Sequence, residues 1–141
     1  MLASSDLVIA QEFFPTEFDW RIGVIAGKPL WAAKYYMARK HWQIIKAHGA
    51  GRRYGKVEAM RLEDVPRDVV RHAVKAANLI GDGLYGVDLK QRGRRVTIIE
   101  VNDNPSIEAG YEDAVLGDAL YDRIMEVFLQ RIEARGIGRR A

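Results

Sequence analysis

The sequence lacks cysteine in all of its 141 residues. Disulfides, Cys-ligated zinc, iron–sulfur clusters and a thiol nucleophile are therefore excluded. It also lacks any apolar run of the roughly 18–20 residues that a membrane-spanning helix needs. No basic segment followed by an apolar one lies near Met1, so no secretory signal is visible. We expect a soluble, cytoplasmic protein with no membrane partner.

A strong charge of one sign is also missing. The 22 basic and 19 acidic residues leave a formal net charge of +3, which does not by itself indicate nucleic-acid binding. Hydrophobic residues make up 48% and charged residues 29% of the chain, as in globular rather than disordered proteins. No internal repeat or low-complexity segment is present. The length predicts a single domain over residues 1–141.

Alternating apolar and polar residues predict two β-hairpins. Residues 18–26 and 29–37 flank a turn at Gly27-Lys28, and residues 84–90 and 95–102 flank a second turn. Weaker strand signals lie at residues 7–14 and 56–62. Hairpins pair their strands in antiparallel fashion, so the sequence predicts an antiparallel sheet.

Helical periodicity predicts two helices. The first begins after an N-cap at Asp64, has Pro66 in its first turn and ends at Gly81. The second runs over residues 118–135 and ends at Gly136. The order hairpin, loop, strand, helix, hairpin, helix predicts an α+β domain with both helices packed on one face of the sheet.

Residues 39–54 combine basic residues, glycines and the aromatic side chains of Trp42 and Tyr54. This composition predicts a mobile basic loop. Basic and aromatic groups together suit single-stranded nucleic acid, and the same loop would also suit an acidic peptide. A non-catalytic binding module is therefore the alternative function. His41, beside Trp42, is either a substrate contact or an ordinary surface histidine.

The segment IIEVNDNPS, residues 98–106, carries the clearest chemical signal. On an uninterrupted strand, Val96, Ile98, Glu100 and Asn102 share one face because side chains alternate. Pairing across the second hairpin can bring Asp88 close to Glu100. Two carboxylates and an amide oxygen suit Mg²⁺. With no basic residue between the carboxylates, a bound cation would relieve their repulsion.

The ordinary alternative for these residues stays open. Asp88 can form an ion pair with Lys90, Arg92 or Arg94, while Glu100 can lie exposed on an edge strand. The acidic residues Glu108, Glu112 and Asp113 are expected on a solvated loop face.

Two basic residues lie in the middle of predicted strands, Arg21 and Lys34. Cations on rigid strands can hold the outer oxygens of a polyphosphate, although strand cations often face solvent instead. The segment Gln11–Phe14 ends the weak first strand, and its backbone can bond an adenine edge beside Phe13 or Phe14. Packing of both rings in the core is the alternative.

The ordered segments QEFF, DWRIGV, AAKYYM, GLYGVDL and IEVNDNPS resemble the C-terminal part of ATP-grasp enzymes over residues 7–132. The resemblance is to the branch that includes glutathione synthetase and the ribosomal-protein glutamate ligase RimK. It implies an ATP- and Mg²⁺-dependent carboxylate–amine ligase that works through an acyl phosphate. Such an enzyme would add an amino acid such as glutamate to a peptide or small molecule, and nucleic acid is not an expected partner.

The same resemblance implies a role for individual residues. Asp88, Glu100 and Asn102 match metal ligands, for two Mg²⁺ ions or for Mn²⁺ in their place. Arg21 and Lys34 match catalytic cations beside the phosphates. The adenine neighbours would be Gln11, Glu12, Phe13, Phe14, Leu89 and Ile99. Asn104 and Ser106 fall in the loop near the acyl acceptor.

The resemblance also predicts that the isolated chain is inactive. Enzymes of this family carry an upstream nucleotide-clamping lobe and a substrate domain, and this chain opens where the adenine segment would begin. We therefore expect the 141-residue chain to bind ATP weakly and to release no ADP in a coupled assay. Measurable turnover by this chain alone would contradict the expectation.

Overall fold

The computed structural model describes residues 10–37, 45–48, 51–54 and 56–136. Within these residues the chain forms seven strands and two α-helices. In chain order they are β1 Phe18–Ile25, β2 Lys28–Tyr36, β3 Ile45–His48, β4 Gly51–Tyr54, β5 Val57–Met60, α1 Arg67–Ile80, β6 Leu84–Arg92, β7 Arg95–Asn102 and α2 Asp118–Ala134.

Five strands form one antiparallel sheet in the order β5-β2-β1-β6-β7, so β1 lies at its centre. Both predicted hairpins are present. The first turn is Ala26-Gly27, one residue earlier than predicted, and both residues have positive φ angles of 48° and 72°. This conformation matches the twist of the flanking strands. The predicted α+β class with an antiparallel sheet is therefore confirmed.

The sheet is apolar on both faces, and each face packs against a different helix. Because residues paired across strands share a face, Ile22 lies beside Val87 and faces α1. Ala33 and Tyr35 of β2 lie on the other face, in one core cluster with Leu120 of α2. We call these the α1 face and the α2 face. The prediction that both helices cover one face is corrected here, because β1 and β2 present buried residues to both sides.

The first helix begins later than predicted. Asp64 belongs to a short 3₁₀ turn, and Pro66 takes the N-cap position of α1. Val65 precedes this proline and is extended, as expected because a proline disfavours the helical conformation of the residue before it. The predicted end at Gly81 is confirmed. Neither helix of the described chain is long and apolar enough to cross a membrane.

A register shift separates the two halves of β7. Leu89 pairs with Ile98, whereas Asp88 pairs with Glu100, so Ile99 is an extra residue of a β-bulge. Ile98 thus shares the α1 face with buried Leu89, while Glu100 lies on the α2 face. The prediction that Ile98 and Glu100 share one face is wrong, because the bulge interrupts the alternation on which it relied.

The predicted basic loop 39–54 contains the separate antiparallel pair β3–β4. His41 and Trp42 lie outside the described residues, so the alternative binding function of this segment stays a prediction. Residues 10–14 form no strand, unlike the prediction for 7–14, of which 7–9 lie outside the described residues.

The α2 face predicts a contrast between two leucines of the same helix. Leu120 is fully buried, whereas Leu129 is 55% exposed. Leu120→Ala should lower the free energy of unfolding by about 2–5 kcal/mol because it leaves a cavity. Leu129→Ala should change it by less than about 0.5 kcal/mol. Urea unfolding followed by circular dichroism measures both, and equal losses would show that α2 does not pack as described.

Candidate functional site

A row of charged side chains crosses three neighbouring strands on the α2 face. Arg21 of β1 pairs with Asp88 of β6, and Asp88 pairs with Glu100 of β7. Side chains at paired positions lie roughly 4.5–5.5 Å apart at Cβ. The hairpin pairing that brings Asp88 close to Glu100 is thus present, and Arg21 joins it from the central strand.

Arg21 and Asp88 form a bidentate ion pair. Arg21 Nε donates to Asp88 Oδ1 at 2.7 Å, and Nη2 donates to Oδ2 at 2.8 Å. Their side chains are 24% and 15% exposed, and the guanidinium lies 4.4 Å from the centre of the Tyr35 ring. Lys90, an expected partner of Asp88, instead pairs with Asp19. A fixed cation therefore already neutralises Asp88, which removes the argument that a metal ion must relieve repulsion there.

The acidic surroundings keep Arg21 charged. Burial by itself would lower the pKa of Arg21, but the hydrogen bonds and charge of Asp88, with the charges of Glu112 and Glu100, outweigh it and raise the pKa. Arg21 is thus a permanent positive charge held on a rigid strand. Such a group can stabilise a phosphate without reorganising.

Glu100 and Asn102 supply oxygen atoms at the open edge of this row. Both are exposed, and the Glu100 side chain forms no ion pair or hydrogen bond with any other described residue. Asn102 lies in the next row, opposite Gly86, and its Oδ1 accepts the Asn104 backbone N–H at 2.9 Å. This contact fixes the direction of the amide oxygen while leaving it a second lone pair.

The donor set fits a hard divalent cation. It comprises two carboxylates and an amide oxygen, the ligand types that Mg²⁺ takes alongside waters and phosphate oxygens. The described residues contain no cluster of three or more His, Cys, Asp or Glu side chains that could hold a metal ion. A cation here would therefore depend on oxygen atoms from a bound phosphate.

Two paired glycines lie beside the charged row. A Cβ atom at Gly23 would lie 2.2 Å from Trp31 Nε1, and one at Gly86 would lie 2.8 Å from Pro105 Cβ. The indole and the proline thus pack directly on the sheet backbone. Because Pro105 follows β7, this contact turns the loop with Asn104 and Ser106 back across β6.

Glu112 is a site residue that the sequence did not reveal. Instead of lying on a solvated loop face, it is only 3% exposed. Its Oε2 accepts the Glu108 backbone N–H at 2.8 Å, and its charge acts on Arg21. The sequence around Glu112 did not indicate its burial, because burial of a loop side chain depends on how the loop folds back on the sheet.

Lys34 is not part of this arrangement. It pairs with Trp20, so it lies on the α1 face, and its Nζ sits 5.2 Å and 5.4 Å from the ring centres of Phe18 and Trp20. Lys34 does not meet Arg21 because Arg21 pairs with Ala33, one residue earlier. Strand alternation then sends the lysine to the opposite side.

The residues matched to adenine are dispersed. Leu89 is fully buried on the α1 face, where core packing explains it. Ile99 is the bulged residue beside Glu100. Phe13 is 67% exposed, Gln11 and Glu12 are also exposed, and the Phe14 ring lies 5.2 Å below the guanidinium of Arg95. The segment thus remains accessible, and its contact with a base stays a prediction.

Solved structures of ATP-grasp ligases share this fold. The ATP-grasp ligase PsnB complexed with a minimal precursor gives a TM-score of 0.51 at 22% identity, over 78% of this chain and 35% of PsnB. D-alanine–D-alanine ligase from Bacillus anthracis gives 0.52 at 15% identity, over 86% of this chain and 42% of the ligase. Its complex with ATP gives 0.51 at 16% identity, over 86% and 43%.

The described domain therefore has the architecture of an ATP-grasp subdomain. It spans about 35–43% of the length of these ligases. No protein-family model and no curated protein match the sequence. The similarity in fold does not test the narrower resemblance to the glutathione synthetase and RimK branch, which stays a prediction.

The Arg21–Asp88 pair predicts a large effect of removing one partner. Arg21→Gln should lower the free energy of unfolding by about 1.5–3 kcal/mol, because it leaves a largely buried carboxylate without its charged donor. Arg71→Gln is the matched control, since Arg71 pairs with Asp68 on the exposed side of α1, and it should change stability little. Urea unfolding of both variants at neutral pH tests this, and equal effects would contradict the importance of burial.

Proposed function

We propose that this chain is the metal- and phosphate-binding part of an ATP-dependent carboxylate–amine ligase. The observation that carries the proposal is the row Arg21–Asp88–Glu100, with Asn102 beside it, on the open part of a sheet with ATP-grasp architecture. Two of the solved neighbours support it, because one is complexed with ATP and another with Mg and ADP.

In the proposed reaction, the carboxylate of one substrate attacks the γ-phosphate of ATP. An acyl phosphate and ADP form, and an amine then displaces phosphate to give an amide. Arg21 binds and orients a phosphate oxygen, because its guanidinium is permanently charged and locked between Asp88 and Tyr35. Fixed charge of this kind favours the phosphoryl-transfer transition state mainly by positioning and electrostatics.

Glu100 and Asn102 would hold the metal from the β7 side, and Asp88 from the β6 side. Magnesium, when bound, neutralises charge that develops on the phosphate oxygens. Asp88 has the second task of holding Arg21 in place, since both of its oxygens already accept bonds from that side chain. Glu100 has no such commitment among the described residues, so it is the first ligand available to a cation.

Several finer features belong to the same proposal. The ligase is taken to be of the acid–amino-acid type in the glutathione synthetase and RimK branch, cytoplasmic, and to use two Mg²⁺ ions or Mn²⁺ in their place. The chain would act as the C-terminal subdomain of the ligase, next to a nucleotide-clamping lobe and a substrate domain. The cytoplasmic location rests on the amino-acid composition, and the other features rest on the resemblance in sequence.

Mn²⁺ is a sensitive probe of the proposed metal site, because paramagnetic broadening of NMR signals detects even weak binding. In the 141-residue chain, a small amount of Mn²⁺ with ADP should broaden the amide signals around Asp88, Glu100 and Asn102 first. Glu100→Gln should remove most of this broadening, since the amide loses the ligand charge.

Glu133→Gln on the exposed side of α2 is the matched control and should leave the broadening unchanged. The same broadening in the wild type and in Glu100→Gln, or broadening centred on another part of the sheet, would overturn the metal assignment.

A further inference from the structure

A cavity of about 430 Å³ has Trp31 and Glu112 in its wall. This volume lies within the range of about 300–1,000 Å³ found for small-molecule sites. Slightly more than half of its wall is apolar and comes from β2, β5, the 3₁₀ turn and the loop before α2. The apolar residues are Leu30, Trp31, Met60, Leu62, Val115 and Leu116.

Four charged residues complete the wall, and two of them neutralise each other. Arg61 and Glu63 form an ion pair at 2.5 Å, and both are largely exposed. Glu112 and Arg123, the other two, line the same cavity and form no ion pair with any described residue. The cavity therefore presents one carboxylate and one guanidinium that a ligand can use.

Glu112 is the more unusual of the two because it is a nearly fully buried carboxylate. Only one hydrogen bond, from the Glu108 backbone N–H, reaches it from the described residues. Burying a carboxylate is costly unless cations and donors compensate it. Arg21 supplies part of that compensation. A ligand ammonium in the cavity would supply the rest with a charge-assisted hydrogen bond.

Two residues connect the cavity with the charged row. The Trp31 indole lies on Gly23, two residues along β1 from Arg21, and its Nε1–H is a buried donor without a partner among the described residues. Glu112 belongs to the cavity and also acts on Arg21. A ligand ammonium bound to Glu112 would therefore share with Arg21 the compensation of this buried carboxylate.

We propose that this cavity binds a free α-amino acid with an apolar side chain as the amine substrate. Glu112 would bind its ammonium group, Arg123 its carboxylate, and the apolar wall its side chain. This inference rests on the proposed ligase function. It narrows the amine substrate of that ligase from amino acids such as glutamate to amino acids with an apolar side chain. An uncompensated acidic side chain would be disfavoured against six apolar wall residues.

The test uses the indole N–H signal of Trp31 in the full 141-residue chain, assigned by its loss in Trp31→Phe. Titration with L-leucine should shift this signal in a saturable way. N-acetyl-L-leucine, which lacks the ammonium group, and L-leucinamide, which lacks the carboxylate, should bind at least about tenfold more weakly. L-glutamate should also bind more weakly than L-leucine.

Two substitutions locate the binding. Glu112→Gln keeps an oxygen for the Glu108 N–H but removes the charge, and Arg123→Gln alters an exposed side chain, so both should fold. Each should weaken L-leucine binding roughly tenfold or more, whereas Arg71→Gln on the far side of α1 should have no effect.

Three results would overturn the proposal. They are no saturable shift with L-leucine, equal binding of N-acetyl-L-leucine, and unchanged affinity in Glu112→Gln. Tighter binding of L-glutamate would overturn the apolar preference. Mn²⁺ broadening around Glu100 is measured independently, so failure here with intact broadening would reject the amino-acid pocket alone. Loss of both would reject the ligase function as well.

Discussion

The ion pair between Arg21 and Asp88 is the constraint around which the site is arranged. It joins the central strand to its neighbour with two short hydrogen bonds, at a place where both side chains are largely removed from water. A charge in such a place must be paired, because desolvation costs several kcal/mol per ion, roughly. The Tyr35 ring covers the guanidinium, so Asp88 and Tyr35 together set the direction of the arginine.

Two glycines leave the sheet backbone uncovered next to the Arg21–Asp88 ion pair, so side chains from other elements can pack there. Gly23 and Gly86 face each other across β1 and β6 in the adjacent row, and neither has room for a Cβ atom. Trp31 packs on the first and Pro105 on the second. The Trp31 side chain of β2 and the loop after β7 therefore both pack beside the charged row, which explains how residues far apart in sequence meet on one small surface.

Periodicity was enough to predict most of the fold. Both hairpins and the end of α1 at Gly81 follow from alternation and turn residues alone. The direct pairing of Asp88 with Glu100 does not, because without the extra residue Ile99 the register of the hairpin would pair Asp88 with Ile99. The bulge at Ile99 could not be predicted in this way, because a bulge is defined by how two strands pair and not by the sequence of one strand. The face on which Lys34 lies could not be predicted either, because it depends on the register of β2 against β1.

The burial of Glu112 could not be predicted for a different reason. It depends on a loop folding back over the sheet, and loop residues carry no periodicity that reports their environment.

The pairing of Asp88 also makes phosphate and metal binding interdependent under the proposed function. While Arg21 holds both carboxylate oxygens, its charge opposes a cation beside Asp88. A phosphate that binds Arg21 would bring negative charge to the same spot and offset that opposition. Each ligand would then raise the affinity for the other by the same factor, since coupling between two sites is reciprocal. A lone cation would consequently meet Glu100 first, and the complete ligand set would form only with the nucleotide.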